Sequence, residues 1–172
     1  QAGEFVQGSG TTTEVDIVPR YVEHVTGPLK MGPRRIKAVV DAGNGVGGPV
    51  AQRLYEAMGV DFVGMYLEPD GTFPNHHPDP TVEENVAELR QRTEGEKADL
   101  GLAFDGDADR IGVVDERGNI LWGDQLMILY SRAVLREEPG STIVGEVKCS
   151  QTMYDDIERH GGTPVMWKAG HS

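Results

Sequence analysis

Three aspartates spaced two residues apart, Asp105, Asp107 and Asp109, directly follow an apolar run that predicts a buried strand. The small residues between them, Gly106 and Ala108, allow the backbone to curl, so we expect the three carboxylates to converge on one point. Converging carboxylates repel one another unless a cation lies between them. Oxygen ligands favour hard cations such as Mg²⁺, Ca²⁺ or Mn²⁺ over zinc or copper. The motif therefore predicts a cation-binding loop.

Arg110 follows the third carboxylate, and its planar guanidinium suits phosphate. A metal beside an arginine indicates phosphoryl chemistry. The alternative is an acidic turn exposed to solvent without a bound metal, and the motif alone does not distinguish the two. An EF-hand is rejected, although Glu116 would fall at its twelfth position, because the sixth position is Arg110 and not glycine. In addition, residues 111–115 read as a strand, whereas the flanks of an EF-hand are helical.

The order of elements up to residue 122 is strand, helix, strand, helix, strand, followed by a hairpin. Such an order predicts an α/β fold, here a three-layer α/β/α domain with a mixed sheet over residues 15–122. Residues 1–14 are interpreted as a polar tail or linker. Helix starts are expected at Asp16 and at the capping-box pattern of residues 81–84. The expected strands cover residues 35–40, 60–67, 98–104, 111–115 and 120–122.

A second unit of similar type is expected to begin at Gly123 and to run to Ser172. Asp124 and Ser150 are predicted to cap its two helices, and strands are expected at residues 141–147 and 163–167. About 50 residues with two strands are too few for a complete domain of this kind. We therefore expect residues 123–172 to be an incomplete domain, and the sequence to be a piece of a longer protein.

Three further features carry alternatives. Residues 43–48 match the G-x-G-x-x-G spacing of a dinucleotide-binding turn, but Pro49 removes one amide, so a tight structural turn is favoured. His76 and His77 could form a metal pair, but adjacent residues of a proline-rich loop usually point apart, so an ordered structural loop is favoured. Cys149 is interpreted as a small buried residue.

The formal net charge of −12 argues against a nucleic-acid partner, and an anionic substrate would need a local group of basic residues. No apolar run approaches the ~18 residues of a membrane span, so no membrane partner is expected. A single cysteine and the lack of a signal-peptide pattern make the cytoplasm the expected compartment.

Residues 105–110 resemble the metal loop of the α-D-phosphohexomutases, whose usual form has glycine in place of Ala108. Segments 73–80, 147–150 and 167–172 resemble the branch of that family that acts on phosphomannose and phosphoglucose. Ala169 stands where that branch often has threonine. Four motifs in the family's order, spread over residues 16–172, make the resemblance specific.

The resemblance implies a four-domain enzyme, of which this chain supplies the second domain and the first half of the third. It implies that the enzyme moves a phosphoryl group between O1 and O6 of mannose or glucose phosphates through a bisphosphorylated sugar. The family's catalytic phosphoserine lies in a loop that this sequence lacks, so no catalytic residue and no turnover are expected from the chain itself. The residues implied to hold Mg²⁺ are Asp105, Asp107 and Asp109, and Arg110 is implied to contact phosphate near that centre. The residues implied to contact the hexose phosphate are Lys148, Gly170 and His171.

Two other classes of function stay open. One is a phosphatase-like hydrolase with an aspartate of the metal loop as its nucleophile, which is disfavoured because the usual DxDx[TV] context after the first strand is absent. The other is a non-catalytic module that binds a metal or a sugar phosphate.

Overall fold

Residues 37–121 build a mixed five-stranded sheet in a computed structural model, which describes residues 8–170 of the chain. The strand order is β2-β1-β3-β4-β5, and β1, β2 and β3 are parallel. The strands are β1 (Lys37–Asp41), β2 (Asp61–Met65), β3 (Leu100–Phe104), β4 (Ile111–Asp115) and β5 (Ile120–Leu121). The helices are α1 (Val18–Thr26), α2 (Gly48–Ala57) and α3 (Ala87–Gly95), the last preceded by a 3₁₀ turn at Glu83–Val86.

The central strand β1 is buried on both faces, which explains its continuous apolar sequence. Because successive side chains of a strand point to opposite faces, Val39 enters the core under α3, whereas Ala38 and Val40 enter the core under α2. Leu89 of α3 and Ala51 of α2 are the helix residues buried in these two cores. The sheet therefore has a helical layer on each face, and the predicted three-layer α/β/α arrangement with a mixed sheet is confirmed.

The hairpin at the edge of the sheet is confirmed as well. Strand β4 runs antiparallel to β3, and β5 pairs with β4. Phe104 at the end of β3 pairs with Ile111 at the start of β4, so residues 105–110 close a short connection between neighbouring strands. The acidic motif is therefore held at both ends by the sheet.

Residues 123–170 form a second group of elements around a separate two-stranded parallel sheet. Its elements are α4 (Gly123–Glu137), β6 (Thr142–Glu146), α5 (Gln151–Arg159) and β7 (Thr163–Trp167). Met153 and Ile157 of α5 pack with Leu135 of α4 in a small core. Arg132 of α4 donates two hydrogen bonds to the buried carboxylate of Asp156 on α5, which joins the two helices.

The predicted caps were right at one helix and wrong at three. Ser150 caps α5 through a hydrogen bond from the amide of Thr152 (3.2 Å). Helix α4 instead begins after Trp122, whose amide donates to Oε1 of Gln125 (2.8 Å). The predicted cap Asp124 lies inside the first turn, where its Oδ2 accepts a hydrogen bond from the amide of Ser150 (2.9 Å). Asp124 therefore joins the starts of α4 and α5.

The capping box at residues 81–84 does not form either. Thr81 donates its amide (3.0 Å) and its hydroxyl (2.7 Å) to Oδ1 of Asp79, so the carboxylate closes a local turn. Asp16 behaves similarly: α1 follows Ile17, and the amide of Val18 donates to Oδ1 of Asp16 (3.2 Å).

None of the helices in residues 8–170 has the length and apolar character needed to cross a membrane.

Candidate metal and phosphate site

The connection from β3 to β4 brings the three aspartates together. Asp105, Asp107 and Asp109 each offer an oxygen, and these oxygens lie within 4.8 Å of one another. The curl depends on Ala108, whose backbone is left-handed (φ 61°) and whose amide donates to the carbonyl of Asp105 (3.1 Å). The segment therefore curls at one of the small residues, as the sequence led us to expect. Within the described part of the chain, no other such cluster of His, Cys, Asp or Glu occurs.

The three carboxylates have different electrostatic surroundings. Asp105 is buried, which by itself raises the pKa of its carboxyl, but hydrogen bonds from the amide and guanidinium of Arg110 outweigh burial and lower that pKa. The pKa of Asp109 is raised, first by the charge of Asp107, then by its hydrogen bond with Asp105 and by the charge of Asp105. The cluster thus repels itself, and a cation between the carboxylates would relieve the repulsion. An all-oxygen set of donors fits a hard divalent cation.

Arg110 lies against three carboxylates, since its Nε is also 3.7 Å from Oδ1 of Asp109. Its Nε donates to Oδ2 of Asp105 (2.7 Å), and its Nη1 lies 3.4 Å from Oδ1 of Asp79. These contacts, led by the hydrogen bond to Asp105, raise the pKa of the guanidinium. Its side chain is still half exposed, so part of the guanidinium remains open to a ligand. Sequence reasoning missed Asp79, although it lies in the loop motif 73–80.

The glycine-rich turn after β1 packs directly on the acidic loop of residues 105–110. The amide of Val46 donates to the carbonyl of Gly106 (3.0 Å), and a Cβ atom on Gly45 would lie 2.7 Å from the same oxygen. A Cβ atom on Gly48 would lie 2.0 Å from the carbonyl oxygen of Leu67, in the segment that follows β2. Close backbone approach therefore accounts for these glycines and supports the interpretation of residues 43–48 as a structural turn. The turn and the acidic loop share one rim of the sheet, as expected from their positions after β1 and β3.

The two adjacent histidines face different partners. Nε2 of His76 lies 3.0 Å from Oδ2 of the buried Asp41, whereas the ring of His77 packs edge-on near Phe73, with centroids 6.4 Å apart. A second contact joins the same two loops, from Nδ2 of Asn75 to Oδ1 of Asn44 (2.7 Å). This geometry supports the structural-loop interpretation and not a metal pair.

The remaining candidates lie at the carboxyl ends of β6 and β7. Lys148 lines an open cleft of about 410 Å³ together with Trp122 and Asp124, and its Nζ lies 3.2 Å from Oε1 of Glu146. Cys149 lines the same cleft and is half-buried, so its interpretation as a small buried residue is corrected. Gly170 follows β7 with φ 149°, and His171 lies outside the described residues. Four candidates thus group at the first sheet, and Lys148 and Gly170 lie at the second.

The left-handed backbone of Ala108 allows the conformation of the acidic loop to be tested. An alanine in this conformation costs ~1 kcal/mol or more relative to glycine. A Cβ atom on Gly47 would also lie 2.8 Å from the Cβ of Ala108. We expect Ala108→Gly to raise the free energy of unfolding by about 1 kcal/mol in urea titrations followed by circular dichroism. We expect Gly47→Ala to be destabilising in the natural chain and better tolerated beside Ala108→Gly; equal losses in both backgrounds would contradict this contact.

Two family models match the chain. That of the phosphoglucomutase/phosphomannomutase alpha/beta/alpha domain II matches residues 19–118, and that of domain III matches residues 122–172. The chain is 45% identical over 172 residues to a phosphomannomutase/phosphoglucomutase of Pseudomonas aeruginosa, and this covers 100% of the chain and 37% of that relative. It is 44% identical over 163 residues to a phosphoglucomutase of Neisseria gonorrhoeae, which covers 95% of the chain and 35% of the relative.

A solved structure shows the same fold. A phosphoglucomutase/phosphomannomutase family protein from Burkholderia thailandensis superposes with a TM-score of 0.92 at 43% identity, covering 97% of this chain and 36% of that one. The chain thus spans little more than a third of the length of the relatives it matches. With both domain models matched in sequence order, the chain belongs to the phosphoglucomutase/phosphomannomutase family.

Proposed function

We propose that this chain supplies the metal loop and part of the sugar-phosphate site of a phosphohexomutase. In this proposal the whole enzyme moves a phosphoryl group between O1 and O6 of mannose or glucose phosphates through a bisphosphorylated sugar. The observation that carries it is the convergence of the oxygens of Asp105, Asp107 and Asp109 within 4.8 Å, beside Arg110, in a chain of this family. Names of relatives such as phosphomannomutase/phosphoglucomutase support the choice of hexose phosphates.

The three aspartates would hold Mg²⁺, which suits their oxygen donors and would relieve the repulsion that raises the pKa of Asp109, where the charge of Asp107 is the largest cause. When bound, Mg²⁺ supplies positive charge that stabilises a phosphoryl group during transfer. Arg110 would present its guanidinium to a phosphate at the same rim. Lys148, Gly170 and His171 would contact the sugar phosphate from the second sheet.

We further infer that residues 15–122 and 123–172 belong to two domains, with the boundary between β5 and α4. The ends of the matched regions, at residues 118 and 122, support this boundary. No serine of the chain lies in a loop like the family's phosphoserine loop. The chain on its own is therefore proposed to bind Mg²⁺ and hexose phosphate without turnover, in the cytoplasm.

The test combines binding by the chain with turnover by a chimera. We expect Mg²⁺, and not Na⁺ at matched ionic strength, to raise the melting temperature of the 172-residue chain, since a ligand at 100 times its Kd adds ~2.7 kcal/mol of stability. We expect no conversion of glucose 1-phosphate by the chain in ³¹P NMR. Replacing the matching 37% of the Pseudomonas aeruginosa relative with this chain should give a folded enzyme that does convert it.

Each arm has an outcome that contradicts the proposal. Turnover by the chain alone would show that the catalytic group lies within it, and trapping of an aspartyl-phosphate would favour the hydrolase class. A chimera that folds like the relative, as judged by circular dichroism, but converts neither glucose nor mannose 1-phosphate would argue against the mutase assignment.

A further inference from the structure

The ring of His76 lies between two hydrogen-bond acceptors. Its Nδ1 is 3.0 Å from the carbonyl oxygen of His77, and its Nε2 is 3.0 Å from Oδ2 of Asp41. A carbonyl only accepts, so Nδ1 must carry a hydrogen. Asp41 is 1% exposed, and its Oδ1 accepts a hydrogen bond from the amide of Gly43 (2.8 Å). The buried carboxylate and the imidazole therefore form a tight pair that anchors the 70–80 loop to the end of β1.

Little space remains around this anchor. The ring of Tyr66 packs edge-on against His76, with centroids 5.5 Å apart, and its hydroxyl donates to Glu88 of α3 (2.6 Å). A Cβ atom on Gly43 would lie 2.9 Å from Pro78 and 3.3 Å from the ring of His76. The loop is thus fixed against the turn, against β2 through Tyr66, and indirectly against α3.

A series of hydrogen bonds connects the anchor, the pair of Asp41 and His76, to Arg110. The carbonyl of His77 that accepts from Nδ1 of His76 also accepts from the amide of Asp79 (2.9 Å). The carboxylate of Asp79 is oriented by the amide and hydroxyl of Thr81. Its Oδ1 lies 3.4 Å from Nη1 of Arg110, whose Nε is held by Asp105 on the other side. Within residues 8–170, Nη2 has no hydrogen-bond partner.

We propose that Asp41, His76 and Asp79 are positioning residues for Arg110, and that they hold its guanidinium so that Nη2 faces a bound phosphate. The choice of ligand rests on the proposed function, whereas the positioning of the guanidinium does not depend on it. Hydrogen bonds to two carboxylates, those of Asp105 and Asp79, restrict a long, flexible side chain before the ligand arrives, which reduces the entropy lost on binding. A planar guanidinium held at Nε and Nη1 keeps its remaining edge in one direction.

The experiment uses the 172-residue chain, with Mg²⁺ and inorganic phosphate as probes. The variants are His76→Ala and Asp79→Asn, and His77→Ala is the matched control because its exposed ring lies outside the anchor. Phosphate affinity is measured at saturating Mg²⁺, and the Nε–H signal of Arg110 is followed by ¹⁵N NMR. Asp79→Asn keeps the proposal testable if His76→Ala, which leaves Asp41 buried without its partner, does not fold.

We expect His76→Ala and Asp79→Asn to weaken phosphate binding by about three- to tenfold, less than the about 10- to 100-fold that removing an outer partner of a metal ligand costs. Mg²⁺ affinity should stay unchanged because the three aspartates are intact, and a loss of structure would lower both affinities. The Nε–H signal of Arg110 should shift and exchange faster in both variants and stay as in the natural chain in His77→Ala. In the background of Arg110→Ala, Asp79→Asn should have no further effect on phosphate binding.

The outcomes separate the two proposals. An unchanged Nε–H signal in Asp79→Asn, or losses that add fully to those of Arg110→Ala, would overturn the positioning role. If Arg110→Ala leaves phosphate affinity unchanged while the Nε–H signal responds to Asp79→Asn, positioning holds and the phosphate-binding role of Arg110 fails.

Discussion

Gly48→Ala is expected to lower the free energy of unfolding by at least about 3 kcal/mol, at the upper end of what overpacking costs. The added Cβ would lie 2.0 Å from the carbonyl oxygen, 2.6 Å from the carbonyl carbon and 2.7 Å from the Cα of Leu67. All three are backbone atoms, so no side-chain rotation can relieve the contact. Helix α2 or the segment after β2 must move. Urea denaturation followed by circular dichroism measures the loss.

The matched control is Gly123→Ala. Gly48 and Gly123 are both the first residue of a helix, but a Cβ atom on Gly123 would have no neighbour within 4 Å. We expect this control to change stability by less than about 0.5 kcal/mol, as is usual for surface substitutions. If the two variants lose equal stability, the close packing of the glycine-rich turn on the end of β2 is wrong. If Gly48→Ala does not fold at all, the direction of the prediction still holds.

Asp107→Asn is expected to weaken Mg²⁺ binding by at least tenfold without destabilising the metal-free chain. Removing even an outer partner of a metal ligand typically costs about 10- to 100-fold in affinity, and Asp107 is proposed as a direct ligand. In the metal-free chain, its charge is the largest cause of the raised pKa of Asp109. A carboxyl whose pKa is raised by folding destabilises the folded chain above that pKa. Removing the cause should therefore leave the melting temperature equal or higher near neutral pH.

In Asp107→Asn, the affinity for Mg²⁺ is expected to fall while the melting temperature of the metal-free chain stays equal or rises. Either measurement can therefore contradict the prediction. Isothermal titration calorimetry with Mg²⁺ gives the affinity, and melting in EDTA gives the stability without metal. Asp61→Asn removes the same charge from the exposed start of β2 and should leave Mg²⁺ affinity unchanged. A variant Asp107→Asn that melts lower in EDTA would mean that Asp107 has a structural role. Unchanged Mg²⁺ affinity would mean that the cluster is only a solvated turn.

Local sequence patterns predicted the fold well because each pattern was compatible with only one type of secondary structure. Apolar runs identified the strands, and the short turn between residues 115 and 120 identified the hairpin. The caps were less predictable because a short polar side chain can bind several nearby amides with similar energy. Asp124 was expected to cap α4 and instead binds the amide of Ser150, a partner 26 residues away. Tertiary packing decides which amide such a side chain binds, and the neighbouring sequence does not indicate that partner.

The clustering of the three aspartates was predictable for a similar reason. They are close in sequence, so their spacing alone indicated the convergence of Asp105, Asp107 and Asp109. The partners that hold Arg110 and the 70–80 loop are distant: 31 residues separate Asp79 from Arg110, and 35 separate Asp41 from His76. The sequence contained a hint in the motif of residues 73–80, but only the fold shows which side chains it meets.

The antiparallel edge of the first sheet has a consequence for the order of folding. Strands β3, β4 and β5 are joined by short turns and lie within Leu100–Leu121, so their pairing closes only small loops. The parallel pairing of β1 with β3 must instead bring together Val39 and Gly101, which is slower because a long loop is closed. We therefore expect the acidic connection to form early in folding, before the turn and the loop that surround it. Its repelling carboxylates would then meet in a half-formed chain, where we expect a divalent cation in solution to speed up folding.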